Sequence, residues 1–487
     1  MRGEHLGLAM WLGVGAALSA CGDDAATRGR TDASSGRPDA SWDGDLIVYV
    51  PWTDRDLDVL FVVDNSGSMR QEQESLADNF PRFIEVLESI EGGLPNIHLG
   101  IVSSNVGTGP VGGGGEACAG NGDNGDLLVK DGCAALTDGR RFIEDILVDA
   151  ESGTRAFNYT GDLATQFSCM AQLGTSGCGF EQHLESMKRA LEPGNLDNEG
   201  FLRDDARLAV IFLQDEDDCS TTTEGREMFD ASQDDRDAPL GELASFRCFE
   251  FGTTCEPAAE RSLGPRDDCI PGDDDTDYME TVAPYVDFLK GLKDDPRRVV
   301  VAGIMGDREN SDGVIVVGEN PELGNELWVE PVCVVCQGGA SSGCPLSPSE
   351  PDGALVAAAP SVRMRAFLDA FPQRSAWQNI CSYDSSINGV NLSGALARIA
   401  GLVKKSMSGY CLDGSNLATP LDCRVFDADP VTQEESRLPR CEEAAPPCWT
   451  VSEDLAQCPD GGVSVEVDRG GSPPPPDTEV VVRCVQE

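Results

Sequence analysis

Residues 56–69 read DLDVLFVVDNSGSM, and this stretch limits the possible folds more than any other. Five consecutive apolar residues, Val59 to Val63, suit a strand covered on both faces, as in parallel sheets flanked by helices. The run stops at Asp64, and Asn65, Ser66, Gly67 and Ser68 follow as a turn-forming sequence. Residues 208–213 (LAVIFL) have the same character and run into Gln214-Asp215-Glu216-Asp217-Asp218; residues 299–305 (VVVAGIM) form a third buried run. Residues 97–103, 141–148 and 377–381 supply further strand candidates. Between them, apolar side chains recur at helical spacing, as in Leu76, Phe80, Phe83 and Leu87, or Phe180, Leu184, Met187 and Leu191. Strands alternating with helices predict a doubly wound α/β domain with a mostly parallel sheet. Pro81 falls inside the first helical pattern, where a kink or restart is expected.

The start of the chain is not fold. Residues 6–18 are apolar but too few to span a bilayer as a permanent helix, and they end in Leu18-Ser19-Ala20-Cys21. That ending resembles a bacterial lipobox, which makes residues 1–21 a lipoprotein signal peptide and Cys21 the lipidation site. Residues 22–45 are small and polar and read as a flexible tether. Nineteen cysteines leave eighteen once Cys21 is set aside, an even number suited to disulfides in an oxidising compartment. Cys333-x-x-Cys336 is read the same way rather than as a zinc or redox motif, and Cys411 is open to pairing within its own region or with Cys381. No later run is long enough to cross a bilayer, so the expectation is a lipid-anchored protein of the cell envelope, on the periplasmic face or cell surface. The α/β domain occupies 46–408, with insertions at about 106–140, 219–277 and 306–360; residues 409–487 form a Cys-rich, disulfide-stabilised region.

Charge narrows the function. With 85 acids against 36 bases, the net charge of −49 excludes nucleic-acid binding through a basic patch and opposes anionic membrane surfaces. Of three histidines, His5 goes with the signal peptide, His98 lies within a strand, and His183 lies beside a helical face as a surface or packed residue. The acids from Asp267 to Asp277 do not make an EF-hand, because Cys269 and Pro271 would fill ligand positions; a solvated loop is expected. Ser68 and Gln71 have the spacing of a helix capping box.

Asp64, Ser66 and Ser68 put a carboxylate and two hydroxyls at a strand end, a donor set suited to Mg²⁺, Mn²⁺ or Ca²⁺. Open α/β sheets bind ligands outside the carboxyl ends of their strands, and Asp215 closes a second strand there. Asp64-Asn65-Ser66-Gly67-Ser68, then Gly174-Thr175, then Asp215 together resemble a von Willebrand factor type A (vWA) domain with a metal-ion-dependent adhesion site. The resemblance covers about residues 55–407. It implies a divalent cation held by Asp64, Ser66, Ser68, Thr175 and Asp215, with Asp217 and Asp218 as alternatives at the third element. It implies a partner, a protein or cell-surface ligand, that offers an acidic group to the cation. No Ser-His-Asp set, HExxH or phosphate loop is apparent, so an enzyme is not expected. The expected function is a membrane-anchored, metal-dependent binding or adhesion module; the alternative is a disulfide-rich envelope scaffold in which the metal is only structural.

Overall fold

The central sheet takes its strands from the apolar runs. They are β1 (Asp56–Val63), β2 (Asn96–Ser103), β3 (Ile143–Asp149), β4 (Thr154–Phe157), β5 (Arg207–Leu213), β6 (Val299–Met305) and β7 (Ser375–Asn379). The computed structural model describes residues 46–49, 55–90, 93–149, 152–256, 261–273, 278–320, 325–336, 354–386, 389–407, 410–412, 421–428, 434–452, 463–470 and 479–485. The expected signal peptide, Cys21 and the tether lie outside these residues, as do Cys344, Cys458 and the acids at 274–277.

The strand order is β7-β6-β5-β1-β2-β3-β4. The five strands from β7 to β2 are parallel, and β3 and β4 close one side antiparallel. After β1 the chain moves one way to β2, then returns to the other side of β1 with β5. The order therefore reverses between β1 and β5, where doubly wound sheets open a crevice at their carboxyl ends.

Six helices cover the sheet: α1 (Arg70–Glu88), α2 (Leu163–Met170), α3 (His183–Leu191), α4 (Ala283–Gly291), α5 (Val362–Asp369) and α6 (Ser393–Met407). Side chains alternate along β1. Val59, Phe61 and Val63 pack under α1, α2 and α6, while Leu60 and Val62 pack under α3, α4 and α5. Phe61 meets Phe80, Phe83 and Phe167 with ring centroids 6.0, 5.9 and 4.9 Å away. Each such side chain, fully buried, contributes about 1.5–3 kcal/mol, enough to fix which face each helix takes. Pro81 does not break α1, which runs through it; its ring faces solvent while Phe80 and Phe83 hold the helix down. The expected Ser68–Gln71 box does not form: Met69 occupies the cap without a side-chain bond, and Ser68 turns toward the end of β5.

The two long insertions fold together. Thr253–Glu256 and Gly264–Pro271 from one, and Ile315–Asn320 and Glu326–Val329 from the other, form a single four-stranded sheet. Of the acids expected in a solvated loop, Asp267 and Asp268 lie in strand instead, though both are exposed. The Cys255–Cys269 disulfide pins this strand, and Arg266 is buried within it. In the C-terminal region, Leu46–Tyr49, Cys423–Ala428, Glu435–Leu438 and Glu479–Val485 share one sheet, so residues 46–49 belong there rather than with β1. Tyr410–Leu412, Cys448–Ser452 and Val463–Asp468 form another, and Val425, Leu438, Trp449, Val465 and Val482 pack together.

Seven disulfides join described cysteines. Cys333 pairs with Cys381, which removes Cys381 as a partner for Cys411, and Cys336 is disulfide-bonded separately. So dense a set marks a chain that folds in an oxidising, extracytoplasmic setting. No helix among the described residues is long and apolar enough to cross a membrane.

Candidate functional site

At the β1/β5 crevice, backbone bonds first fix the loops. Asp64 N donates to Leu213 O (2.9 Å), Gln214 N to Ile304 O (3.1 Å) and Ala359 N to Asp215 O (2.7 Å). Asp64 is fully buried, and its Oδ1 accepts from Ser66 N at 2.8 Å, an Asx turn that bends the chain directly after β1. Ser104 Oγ lies 3.5 Å from the same oxygen. Oδ2 faces His183 Nε2 at 3.5 Å and has no hydrogen bond.

Gln73, in the first turn of α1, ties this loop to its neighbour. Its Nε2 donates to Asp64 O (2.7 Å) and Gly174 O (3.0 Å), and its Oε1 accepts from Gly174 N (3.0 Å). Gly177 N donates to Asn65 O (2.8 Å), and a Cβ on Gly177 would stand 2.1 Å from Asn65 Oδ1, so only glycine allows this approach. The Cys118–Cys178 disulfide secures the following residue. Thr175 lies between the two anchored glycines, half-buried, and no hydrogen bond links its hydroxyl to the other described residues.

The structure thus brings Asp64, Ser66, Ser68 and Asp215 together and carries the Thr175 backbone to their rim. Ser66 Oγ and Ser68 Oγ are 3.3 Å apart, and the Ser68 side chain lies near enough to Asp215 to pull its pKa down against the larger effect of burial. Asp217 and Asp218 face elsewhere. Asp217 caps α5, accepting from Arg363 N (2.8 Å) and Met364 N (3.1 Å). Asp218 is buried against Arg363 (3.0 Å) and accepts from Leu184 N at the start of α3 (2.9 Å).

Three acids missed by the sequence reading complete the site. Glu72 and Glu181 are 1% exposed, and Glu216 stands close enough to Glu181 for their carboxyls to interact. Burial first, and then the Asp64 charge, pushes the Glu72 carboxyl up to about 8. Glu181 is driven well above the usual carboxylate range by burial and by Glu216. Asp215 is driven up similarly by burial and by Asp64, and Glu216 rises mainly through burial. His183, fully buried, is the packed residue expected, but its partner is Asp64. The one available signal was polar Glu181-Gln182-His183 directly before an apolar helical face.

The expected divalent cation does not stand. Among the described residues, no three His, Cys, Asp or Glu side chains are grouped to hold a metal ion. The donors turn onto one another: Asp64 Oδ1 onto the Ser66 amide, and Ser66 onto Ser68. What remains is a set of buried polar atoms without hydrogen-bond partners, the two ring nitrogens of His183 among them. Asp64 Oδ2, Asn65 Oδ1, Glu72 Oε2, Glu181 Oε1, Gln214 Oε1 and Asp215 Oδ1 have no hydrogen-bond partner. Above them the exposed rim is Gly67, Gly174 and Ser176.

No family model matches the chain, and no curated protein matches it. Among solved structures, the pilus adhesin RrgA from Streptococcus pneumoniae is similar at 10% identity, with a TM-score of 0.25. The alignment spans 91% of this chain and 58% of the adhesin, and at that score it carries no argument about fold or function.

Proposed function

We propose that this chain is an extracytoplasmic protein-binding module of vWA type, anchored through lipid on Cys21, whose docking edge is the β1/β5 crevice. The observation that carries this reading is the row of six buried side-chain oxygens without partners beneath a rim of small residues. Natural folds rarely leave buried acceptors unmatched, and where they do, a ligand or function commonly accounts for the exception. The acidic partner group expected from the sequence depended on a cation and goes with it. A crevice lined by five acids and unpartnered side-chain oxygens suits a partner that presents a cationic donor, such as a Lys or Arg side chain. The chain acts by binding rather than turnover, with the Cys-rich region and the co-folded insertions as its frame.

Gly67 provides a clean test, since nothing lies within 4 Å of a Cβ built there and its backbone needs no positive φ. Gly67→Arg should leave the thermal midpoint unchanged and block partner capture by the purified chain, with Asp64→Asn and Asp215→Asn weakening it. Equal capture by wild type and all three variants would sink the proposal. Cys21→Ser should move the protein from the membrane to the soluble fraction; continued sedimentation with membranes would refute the anchor. A scaffold role is the second reading, favoured by the strand pairing that joins the two insertions in one sheet. It predicts that the rim variants have no effect while loss of Cys255–Cys269 disrupts envelope assembly.

A further inference from the structure

We propose that a cleft in the C-terminal region is a second binding site, for a small hydroxylated ligand carrying a carboxylate or phosphate. The cleft encloses about 460 Å³, within the roughly 300–1,000 Å³ typical of small-molecule sites. Arg424, Arg437 and Arg440 line it, with Leu438, Pro439 and Trp449 as apolar wall. This placement is selective. Residues 409–487 contain five arginines and no lysine against sixteen acids. Two of the five are fully matched: Arg469 grips Asp427 (2.8 and 2.5 Å) and Arg483 grips Glu435 (2.9 and 2.5 Å). Arg424, which has an interaction of its own, lines the cleft together with Arg437 and Arg440. Arg437 is exposed and Arg440 half-buried, and among the described residues neither has a carboxylate partner.

Arg440 is also held in place. Its guanidinium stacks on the Trp449 ring, 4.6 Å from the centroid. Trp449 is 3% exposed, and its Nε1 donates to Leu438 O at 3.0 Å. Trp449 N bonds Pro439 O and Cys441 N bonds Trp449 O, both at 2.9 Å, and the Cys441–Cys448 disulfide closes the turn. A stacked guanidinium keeps its planar fork of donors free for bidentate contact with an oxyanion, with little side-chain entropy left to lose. Asp422 and Glu443 stand at the same cleft. They repel polyanions such as nucleic acid and accept from hydroxyl groups, which selects a small ligand combining an acid group with hydroxyls.

Calorimetric titration of the full chain at low salt with glucuronate, glucose 6-phosphate and neutral glucose tests this. Saturable binding of glucuronate, of glucose 6-phosphate or of both is expected, with none for glucose; the stronger of the two identifies the oxyanion. Arg437→Gln and Arg440→Lys should each weaken binding about tenfold or more, the loss of a charge-assisted contact. Gly67→Arg should leave it unchanged. Arg437 is exposed, so an unaltered melting temperature certifies that variant independently of Arg440→Lys. No binding of either anion up to about 10 mM, a free energy near −3 kcal/mol, would overturn the proposal. So would wild-type affinity in a folded Arg437→Gln.

Discussion

The two ends of strand β1 each bury an aspartate, and they treat it oppositely. At the amino end, Asp58 is fully buried and surrounded by donors. Arg203 gives it Nε and backbone N, both at 2.8 Å; Lys293 Nζ lies at 3.9 Å and His98 Nδ1 at 3.7 Å. Those cations are themselves engaged, Arg203 on Leu57 O and Asn96 O, Lys293 on Arg203 O, His98 on Phe201 O. At the carboxyl end, Asp64 meets one histidine and four acids within electrostatic reach, and its Oδ2 has no bond. One end is matched charge for charge and serves the fold. The other is kept at a cost to the fold, which is how binding sites differ from structural ion pairs.

The comparison breaks most readily at Asp58. Asp58→Ala strands half-buried Arg203 and buried Lys293 and should cost about 3–5 kcal/mol in denaturant unfolding. A loss under 1 kcal/mol would mean the amino end is no better matched than the carboxyl end. Next in size is the Cys118→Ala/Cys178→Ala pair. It should cost about 2–4 kcal/mol and deprotect amides around Gly174 and Gly177 in hydrogen exchange before those of β1. Uniform deprotection would show that the disulfide does not act locally on the rim.

Acidification sharpens the contrast further. Burial and Arg203 hold the His98 imidazole below its usual value of 6.5, against the pull of Asp58 and Glu144. The unfolded chain therefore binds the proton more readily. Stability from His98 is complete above about pH 6.5 and is lost as pH falls toward the depressed folded value, on the order of 1 kcal/mol per unit. Asp58 works in the opposite sense, since burial raises its carboxyl despite Arg203, so its own contribution falls as pH rises. A His98→Gln variant with a flatter Tm profile between pH 7.5 and 5.5 supports the assignment; an unchanged profile refutes it. The smallest effect belongs to Asp215→Asn. Removing an acid from among acids should be neutral or stabilising by up to about 1 kcal/mol, whereas a loss above 2 kcal/mol would show a missed partner.

Much of the frame was legible because continuous apolar runs admit few alternatives. β1, β5 and β6 fall where Val59–Val63, LAVIFL and VVVAGIM predict, and the helices follow the 3.6 period of Phe80, Phe83 and Leu87. The meeting of Asp64 with Asp215 was expected from two strand ends of one sheet and the vWA resemblance, while the strand order was not read from the sequence. Pairing between distant segments was not legible, since no local period reveals it: Gly264–Pro271 with Ile315–Asn320, or residues 46–49 with 479–485. Nor were Glu72, Glu181 and Glu216, because an acid beside a helix start looks the same facing water or facing Asp64. The cation failed for a related reason. Spacing shows which donors are near one another, but whether they converge depends on rotamers, and here they turn inward.

The pairing of residues 46–49 with the last strand has a mechanical consequence. A pull applied on the amino side of Leu46 falls first on four paired residues, not on β1. Behind that short strand, Glu479–Val485 is bonded along Cys423–Ala428 and riveted to it by Cys423–Cys484. The leading strand can peel away at low load, leaving the riveted pair behind it in place. The chain lengthens by a few residues before the load reaches the amino end of β1, where Arg203 holds Asp58, the end of the strand opposite the crevice.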